Sequence, residues 1–231
     1  MKKSFILIAL AAMAMSSCED IMDGLYDDGE ERVAGGVKSE AEVDSMFISS
    51  TYGFTSVDKR TGLGSIYVDC TSYTKWTYLN FHDFTYSESE IGEGETVPEQ
   101  WDIALHRYDA KTNGASVLET GYASLDELVA SGAVPEGEYS ADTLTDSKII
   151  VDMSHMMEGQ IGYAESMYNK TLSSWLDVDL GTMPPIYTPS GKVYVVRLAD
   201  GTYLGIRMDN FMNAKSVKGN MYFSFIYPLA F

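Results

Sequence analysis

Two runs of β-branched and aromatic residues, separated by an Asp-Gly pair, constrain the fold of this chain more than any other feature. The runs cover residues 192–198 and 203–208, and Asp200-Gly201 lies between them. Valine, isoleucine and tyrosine favour extended backbone, and Asp-Gly favours the left-handed conformations of a tight turn. The pattern therefore predicts an antiparallel β-hairpin.

Further strands are predicted along the chain. The C-terminal run places Met221, Phe223, Phe225 and Tyr227 on one face and Tyr222, Ser224 and Ile226 on the other. Large side chains on both faces indicate a strand that is central or lies between two layers. Residues 76–81 predict another strand. The alternation from Trp101 to His106 predicts a half-buried strand, followed by a turn at Asn113-Gly114.

Helix is scarce in this sequence. Ser124 and Glu127 have the spacing of a capping box, and Gly132 can end the turn, so a short helix is predicted over residues 124–131. Residues 39–49 predict a second one. We find no internal repeat. The predicted fold is all-β, with a single antiparallel β domain over residues 56–231 and one or two short helices.

The amino terminus has the pattern of an export signal. Lys2 and Lys3 precede an apolar run from Phe5 to Met15, which is too short to span a bilayer. Small residues then lead to Cys18, as in a lipoprotein cleavage site. We predict a signal peptide over residues 1–17, lipidation of Cys18 and a membrane association through the lipid anchor alone. The alternative is an ordinary secretory leader followed by a chance cysteine.

An acidic segment follows Cys18. It contains Glu19, Asp20, Asp23, Asp27, Asp28, Glu30 and Glu31. Such blocks bury too little apolar surface to fold, so residues 18–55 are predicted to be a flexible acidic tether with a possible short helix.

Charge and motif content exclude several functions. The formal net charge is −18, which opposes binding to nucleic acid. No nucleophile elbow, phosphate-binding loop, His-Glu-x-x-His or Cys-x-x-Cys pattern is present, so no enzymatic activity is predicted. The three histidines are far apart, which disfavours a zinc site, and His106 is predicted to be a hydrogen-bonded structural residue. Cys70 is predicted to have no disulfide partner.

Methionine is unusually frequent, with 13 in the chain. Several lie between Met153 and Met183. The nearby Gly159 and Pro184-Pro185 predict that some of these methionines are in loops. Methionine in a strand usually fills the core, but a thioether in a loop gains little from packing. A thioether or an imidazole can bind haem iron, so this region is a candidate haem site.

The segment from Trp101 to Gly114 closely resembles the signature of the HmuY-like haem-binding lipoproteins. In that family a Trp-Asp-Ile strand leads into His-Arg-Tyr-Asp and then Thr-Asn-Gly. The resemblance extends to residues 68–69 and 73–78, to residues 193–197 and 199–201, and to Gly219. It covers the chain from about residue 66 to residue 231.

The resemblance implies haem held between two axial residues, which are two histidines in some members and two methionines in others. In the second ligand segment, residues 175–187, Met183 is the only axial donor. The first segment offers His155, Met156 and Met157. On an extended chain His155 and Met157 would share a face. We predict Met156 and Met183 as the iron ligands, with His155 and Met157 as alternatives for the first position.

The family implies a haemophore on the surface of the outer membrane. Such a protein takes up haem for iron acquisition and passes it to an outer-membrane uptake system through a TonB-dependent receptor. The alternative is a non-catalytic surface lipoprotein that binds glycan or host protein, which would need only the anchor and an aromatic β face.

Overall fold

The computed structural model describes residues 52–231 apart from 93, 180 and 183. The predictions for the signal peptide, for Cys18 and for a helix over residues 39–49 fall outside the described residues. The first strand begins at Gly53, which lies inside the segment predicted as tether.

Fifteen strands, two short α-helices and one 3-10 helix make up the described part of the chain. In chain order they are β1 (Gly53–Val57), β2 (Leu63–Asp69), β3 (Lys75–Asn80), β4 (Thr85–Glu90), β5 (Ile103–His106), β6 (Asp109–Thr112), β7 (Ser116–Glu119), α1 (Leu125–Ser131), β8 (Ser140–Ala141), β9 (Thr143–Asp152), the 3-10 helix (Met156–Glu158), β10 (Gly162–Tyr168), α2 (Lys170–Ser173), β11 (Leu176–Asp179), β12 (Ile186–Pro189), β13 (Val193–Arg197), β14 (Tyr203–Met212) and β15 (Lys218–Ile226).

Two sheets form the body of the domain. The larger has seven strands in the order β1-β2-β15-β14-β13-β7-β8, and the smaller has four in the order β4-β3-β5-β6. Two separate hairpins, β9–β10 and β11–β12, complete the fold. All described pairings are antiparallel. The all-β prediction is therefore confirmed.

The predicted hairpin at Asp200-Gly201 is present. Arg197 pairs with Tyr203, and Gly201 has a φ of 86°, a conformation that a residue without a Cβ adopts at little cost. The predicted central position of the C-terminal strand is also confirmed, because β15 lies between β14 and β2. Ser124 caps α1 by accepting a hydrogen bond from the Glu127 N–H, and Gly132 ends this helix in the left-handed conformation.

The main core lies between the two sheets. Ile66 and Phe223 from the larger sheet and Leu79 and Leu105 from the smaller one belong to one buried cluster. The rings of Phe81 and Phe225 meet edge to face across it, with 5.2 Å between their centroids. The fold is thus held by apolar burial between two sheet faces.

The second face of each sheet is also partly covered. Leu125 and Leu128 of α1 pack on Val193 and Val195 of the larger sheet. Ile149 of the β9–β10 hairpin packs with Trp76, Tyr78 and Ala104 on the outer face of the smaller sheet. Strand β5 is therefore covered on both faces, and all four of its residues are buried. The prediction of a half-buried strand was wrong, because alternation along one strand does not show what covers its polar face.

Candidate functional site

Three of the four predicted ligand residues, His155, Met156 and Met157, lie at the tip of the β9–β10 hairpin. Residues 153–161 connect β9 to β10, and the 3-10 helix is part of this connection. Residues 180–185 connect β11 to β12. Met183 lies in this second connection but outside the described residues, so the structure gives no account of its surroundings.

A compact double turn forms the tip of the β9–β10 hairpin. The Met156 N–H donates to the Met153 carbonyl at 3.0 Å, and the Gly159 N–H donates to the Met156 carbonyl at 2.9 Å. The Gln160 N–H closes the turn on the His155 carbonyl at 3.1 Å. Gly159 has a φ of 77°, which lets the chain reverse and enter β10. The backbone of the tip is therefore held by its own hydrogen bonds.

This turn changes which side chains share a face. In a 3-10 helix, residues three apart lie above one another. His155 and Glu158 accordingly pair, with 3.4 Å between Nδ1 and Oε2. The assumption of an extended chain with His155 and Met157 on one face was wrong, because the tip is helical from Met156 to Glu158.

The three alternative ligands differ in exposure. Met157 is 72% exposed, Met156 is partly buried, and His155 is exposed and engaged by Glu158. A partly covered side chain loses less conformational freedom when it binds a ligand. By this criterion Met156 is the best preorganised of the three.

Carboxylates surround the tip. The Ser154 N–H donates to Asp152 Oδ1 at 2.8 Å, and this hydrogen bond holds the pKa of the Asp152 carboxyl below its ordinary value. Glu158 adds a second carboxylate beside His155. The tip therefore carries two carboxylates, and its exposed large apolar side chains are those of Met157 and Ile161.

One face of the β9–β10 hairpin is open and carries apolar side chains on either side of the charged Glu165. Leu144 pairs with Met167, and Ile150 pairs with Tyr163 across the two strands. Leu144 is 64% exposed, and Met167 and Tyr163 are also exposed. The opposite face packs on the smaller sheet through Ile149. Sequence analysis missed this face, although the alternation of Tyr163, Glu165 and Met167 is a signal that could have revealed it.

The base of the β11–β12 hairpin is fixed by an aromatic cluster. The Trp175 Nε1–H donates to the Tyr108 carbonyl at 3.0 Å. Tyr187 stacks on Phe211 with 5.4 Å between ring centroids, and Lys218 Nζ lies 4.3 Å from the centre of the Tyr187 ring. The two strands that flank the connection with Met183 are therefore attached to the body of the domain.

The segment from Trp101 to Gly114, which carries the family signature, makes hydrogen bonds that stabilise the fold. Asp102 Oδ2 accepts the Phe81 N–H at 2.7 Å, which ties the start of β5 to the end of β3. His106 is buried, and its Nε2 lies 2.9 Å from the Tyr73 carbonyl, in agreement with its predicted structural role. Arg107 has a φ of 50°, and its guanidinium donates to the Thr71 carbonyl at 2.7 Å.

Within the residues that the structure describes, no group of three or more His, Cys, Asp or Glu side chains could hold a metal ion. No helix among those same residues has the length and apolar character needed to cross a bilayer.

An all-β domain with two packed sheets and two additional hairpins agrees with the fold that the signature segments imply. Residues 72–225 match the model of the HmuY protein family, and the chain belongs to this family. No curated protein matches the chain.

Solved structures resemble this chain over most of its length. A candidate HmuY-like haem-binding protein of Bacteroides vulgatus is 48% identical, with a TM-score of 0.75, over 78% of this chain and 100% of that one. A candidate lipoprotein of Bacteroides fragilis is also 48% identical, with a TM-score of 0.74, over 77% and 95% of the two chains. The apo form of the HmuY analogue of Tannerella forsythia is 25% identical, with a TM-score of 0.61, over 73% and 96%.

Proposed function

We propose that this protein is a lipid-anchored haem-binding protein of the outer membrane that holds haem through Met156 and Met183. It would display haem at the cell surface and pass it to a TonB-dependent receptor. Family membership and the likeness to a candidate haem-binding protein support the ligand. The likeness to a candidate lipoprotein supports the anchor at Cys18.

The placement of the methionines is the observation that carries this proposal. Met208, Met212 and Met221 are buried in the core, as methionine usually is. Met156 and Met157 instead lie at a hairpin tip, where a thioether gains little from packing. A soft sulfur donor at such a place suits haem iron, and the exposed side chains of Ile161 and Tyr163, next to the tip, add apolar surface for a flat ring.

Met156 is the first ligand in this proposal because it is partly buried, whereas Met157 is 72% exposed. His155 is the alternative ligand: it is more exposed than Met156, and Glu158 engages only its Nδ1, which leaves Nε2 available for iron. The role of Met183 rests on the sequence alone, because it is the only thioether or imidazole between Trp175 and Tyr187.

Titration with haem tests the proposal. Ferrous and ferric haem are added to the protein without its leader, and a saturable visible-absorption band is expected. Met156→Ala and Met183→Ala should each weaken binding by at least tenfold, while Met157→Ala, its exposed neighbour, should bind nearly as the parent does. Circular dichroism checks that each variant is folded.

Three outcomes would contradict the assignment. Absence of a saturable band would favour the alternative of a glycan- or protein-binding module. Loss of haem binding in Met157→Ala or His155→Ala, with binding by Met156→Ala unaffected, would assign the first iron ligand to that other residue of the tip. Membrane association that persists in Cys18→Ser would refute the lipid anchor.

A further inference from the structure

A histidine outside the proposed haem site joins the two sheets. His82 lies in the turn after β3 of the smaller sheet, and Asp200 lies in the hairpin turn between β13 and β14 of the larger sheet. His82 Nε2 is 3.0 Å from Asp200 Oδ2, and His82 Nδ1 is 3.3 Å from Asp102 Oδ2. We call these three residues the histidine bridge.

The geometry of the histidine bridge favours one protonation state. A neutral imidazole has a single N–H, so it can donate to only one carboxylate, and its other nitrogen presents a lone pair. Here both ring nitrogens face carboxylate oxygens. Asp102 Oδ2 also accepts the Phe81 N–H at 2.7 Å, which fixes the position of that carboxylate. Only the imidazolium satisfies both contacts.

The other groups around His82 do not reverse this preference. Tyr227, which follows β15, packs against the imidazole with 5.1 Å between ring centroids. Burial raises the pKa of the Tyr227 hydroxyl, so this side chain stays neutral when His82 titrates. Asp83 and Glu99 line the same cleft of about 330 Å³ and add negative charge. The surroundings of the ring are therefore acidic or neutral.

The polar walls of this cleft are already engaged within the protein. The Asn113 amide donates to the Trp101 carbonyl at 2.9 Å, and Asn80 Oδ1 accepts the His82 N–H at 2.8 Å. Asp200 Oδ1 accepts both the N–H and the hydroxyl of Thr202. This pattern is typical of a structural junction that holds two loops together.

We propose that the histidine bridge is a pH-sensitive latch between the two sheets, closed when His82 is protonated and weakened when it is neutral. Deprotonation of the imidazolium removes one of its two N–H donors and leaves a lone pair beside a carboxylate, so the turn after β3 loses a contact with the larger sheet or with the start of β5.

The pKa values agree with this geometry. The hydrogen bond that His82 donates to Asp200 raises the pKa of His82, burial of the ring opposes the shift, and the charge of Asp102 adds to it. The hydrogen bond from His82 lowers the pKa of Asp200 to about 2. The contribution of His82 is therefore complete below its unfolded pKa of about 6.5 and is lost as the pH rises through the higher folded value. The contribution of Asp200 is present above about pH 4 and is lost as the pH falls through about 2.

The latch and the base of the β11–β12 hairpin lie at opposite ends of the β5–β6 hairpin. Asp102 precedes β5, whereas the Arg107-Tyr108 turn lies at the other end of this hairpin, and Tyr108 contacts Trp175 at the base of the β11–β12 hairpin. Titration of His82 should therefore change stability without changing the iron ligands.

Nuclear magnetic resonance titration of the three histidine rings tests the latch directly. The folded protein without its leader is used, and His82 is assigned by the signal that disappears in His82→Gln. We expect His82 to titrate above the value for an unfolded peptide, and Asp200→Asn to lower its pKa. A His82 ring that titrates at or below the peptide value overturns the proposal.

Urea unfolding at pH 5.5 and pH 8 provides an independent readout. The parent should gain stability at the lower pH relative to His82→Gln, and Asp200→Asn should lose most of that difference. Glu136→Gln, which removes an exposed carboxylate elsewhere, is the matched control and should keep the parent's pH dependence. Equal pH dependence in the parent and in His82→Gln would refute the latch even if Asp200→Asn failed to fold.

Discussion

Lys111 Nζ lies 3.1 Å from Glu95 Oε1, and this ion pair is enclosed by aromatic rings. The ammonium is 4.3 Å from the centre of the Trp76 ring and 5.1 Å from that of Tyr78, whose hydroxyl also hydrogen-bonds to Glu95. Burial lowers the pKa of Lys111 against the opposing effect of Glu95. The loop before β5 is thus attached to the smaller sheet through a buried charge.

Glu95→Gln should therefore destabilise the protein. The substitution leaves the Lys111 ammonium buried without its counter-ion, and loss of one partner of a buried pair costs about 3 kcal/mol. The side chains of Lys111 and Glu95 are only 9% and 23% exposed, so solvent screens them poorly. Urea denaturation measures the change in the free energy of unfolding.

The control for this prediction is an exposed ion pair on the same sheet. Lys75 and Glu88 are also within 3.3 Å, but their side chains are 41% and 38% exposed. Glu88→Gln should change stability by less than about 1 kcal/mol. Equal losses in the free energy of unfolding for the two substitutions would show that burial does not make the Lys111–Glu95 pair more important for stability.

Gly219→Ala should destabilise the domain by about 2 kcal/mol or more. Gly219 has a φ of 86°, and a Cβ there would lie 2.9 Å from Thr71 Cα and 3.0 Å from the Cys70 carbonyl oxygen. Gly201 has the same φ of 86° with open space around it, so Gly201→Ala should cost only about 1 kcal/mol. Thermal unfolding compares the two variants, and a larger loss for Gly201→Ala would contradict the steric argument.

Ferrous haem affinity should change less than threefold between about pH 7.5 and about pH 5.5 if both ligands are thioethers. A thioether takes up no proton in this range, whereas an imidazole has a pKa of about 6.5 and loses its lone pair on protonation. The measurement is haem titration at each pH. Met156→His is the matched comparison and should introduce a loss of affinity at the lower pH, and a similar loss in the parent would contradict a two-methionine site.

Cys70 should be unreactive in the folded protein. Its thiol is buried and donates to Thr77 Oγ1 at 3.7 Å, and burial raises its pKa to about 12. The thiolate that attacks disulfide reagents is therefore absent near neutral pH. In Cys18→Ser, a thiol-reactive disulfide reagent should detect no rapid reaction until urea exposes Cys70. Fast labelling of the folded protein would contradict this prediction.

Local patterns predicted most of the fold. The turn at Asp200-Gly201 and the cap at Ser124 were predicted correctly because neighbouring residues set turn and helix ends. The all-β class was also predicted correctly, because the alternation of apolar and polar residues along a strand is likewise a property of neighbouring residues. The covering of β5 on both faces was not predictable, because it depends on the packing of the β9–β10 hairpin against the smaller sheet, which no local pattern encodes.

The candidate site was predicted only in part. The methionines of the first tip were found because they lie in a loop, but their geometry was predicted wrongly, since the chain is helical from Met156 to Glu158 rather than extended. The assignment of Met156 and Met183 to iron stays a prediction. The apolar face of the same hairpin was missed, although its alternation is visible in the sequence.

By itself, the sequence determined the elements and the chemistry available to them: strands, a capped helix, thioethers outside the core and an acidic balance. Only the tertiary structure decided which distant groups meet. His82 and Asp200 are 118 positions apart and Lys111 and Glu95 are 16 apart, yet each pair is brought within hydrogen-bonding distance. Periodicity is a local property, whereas such contacts depend on the order of strands and on the packing of two sheets around one core.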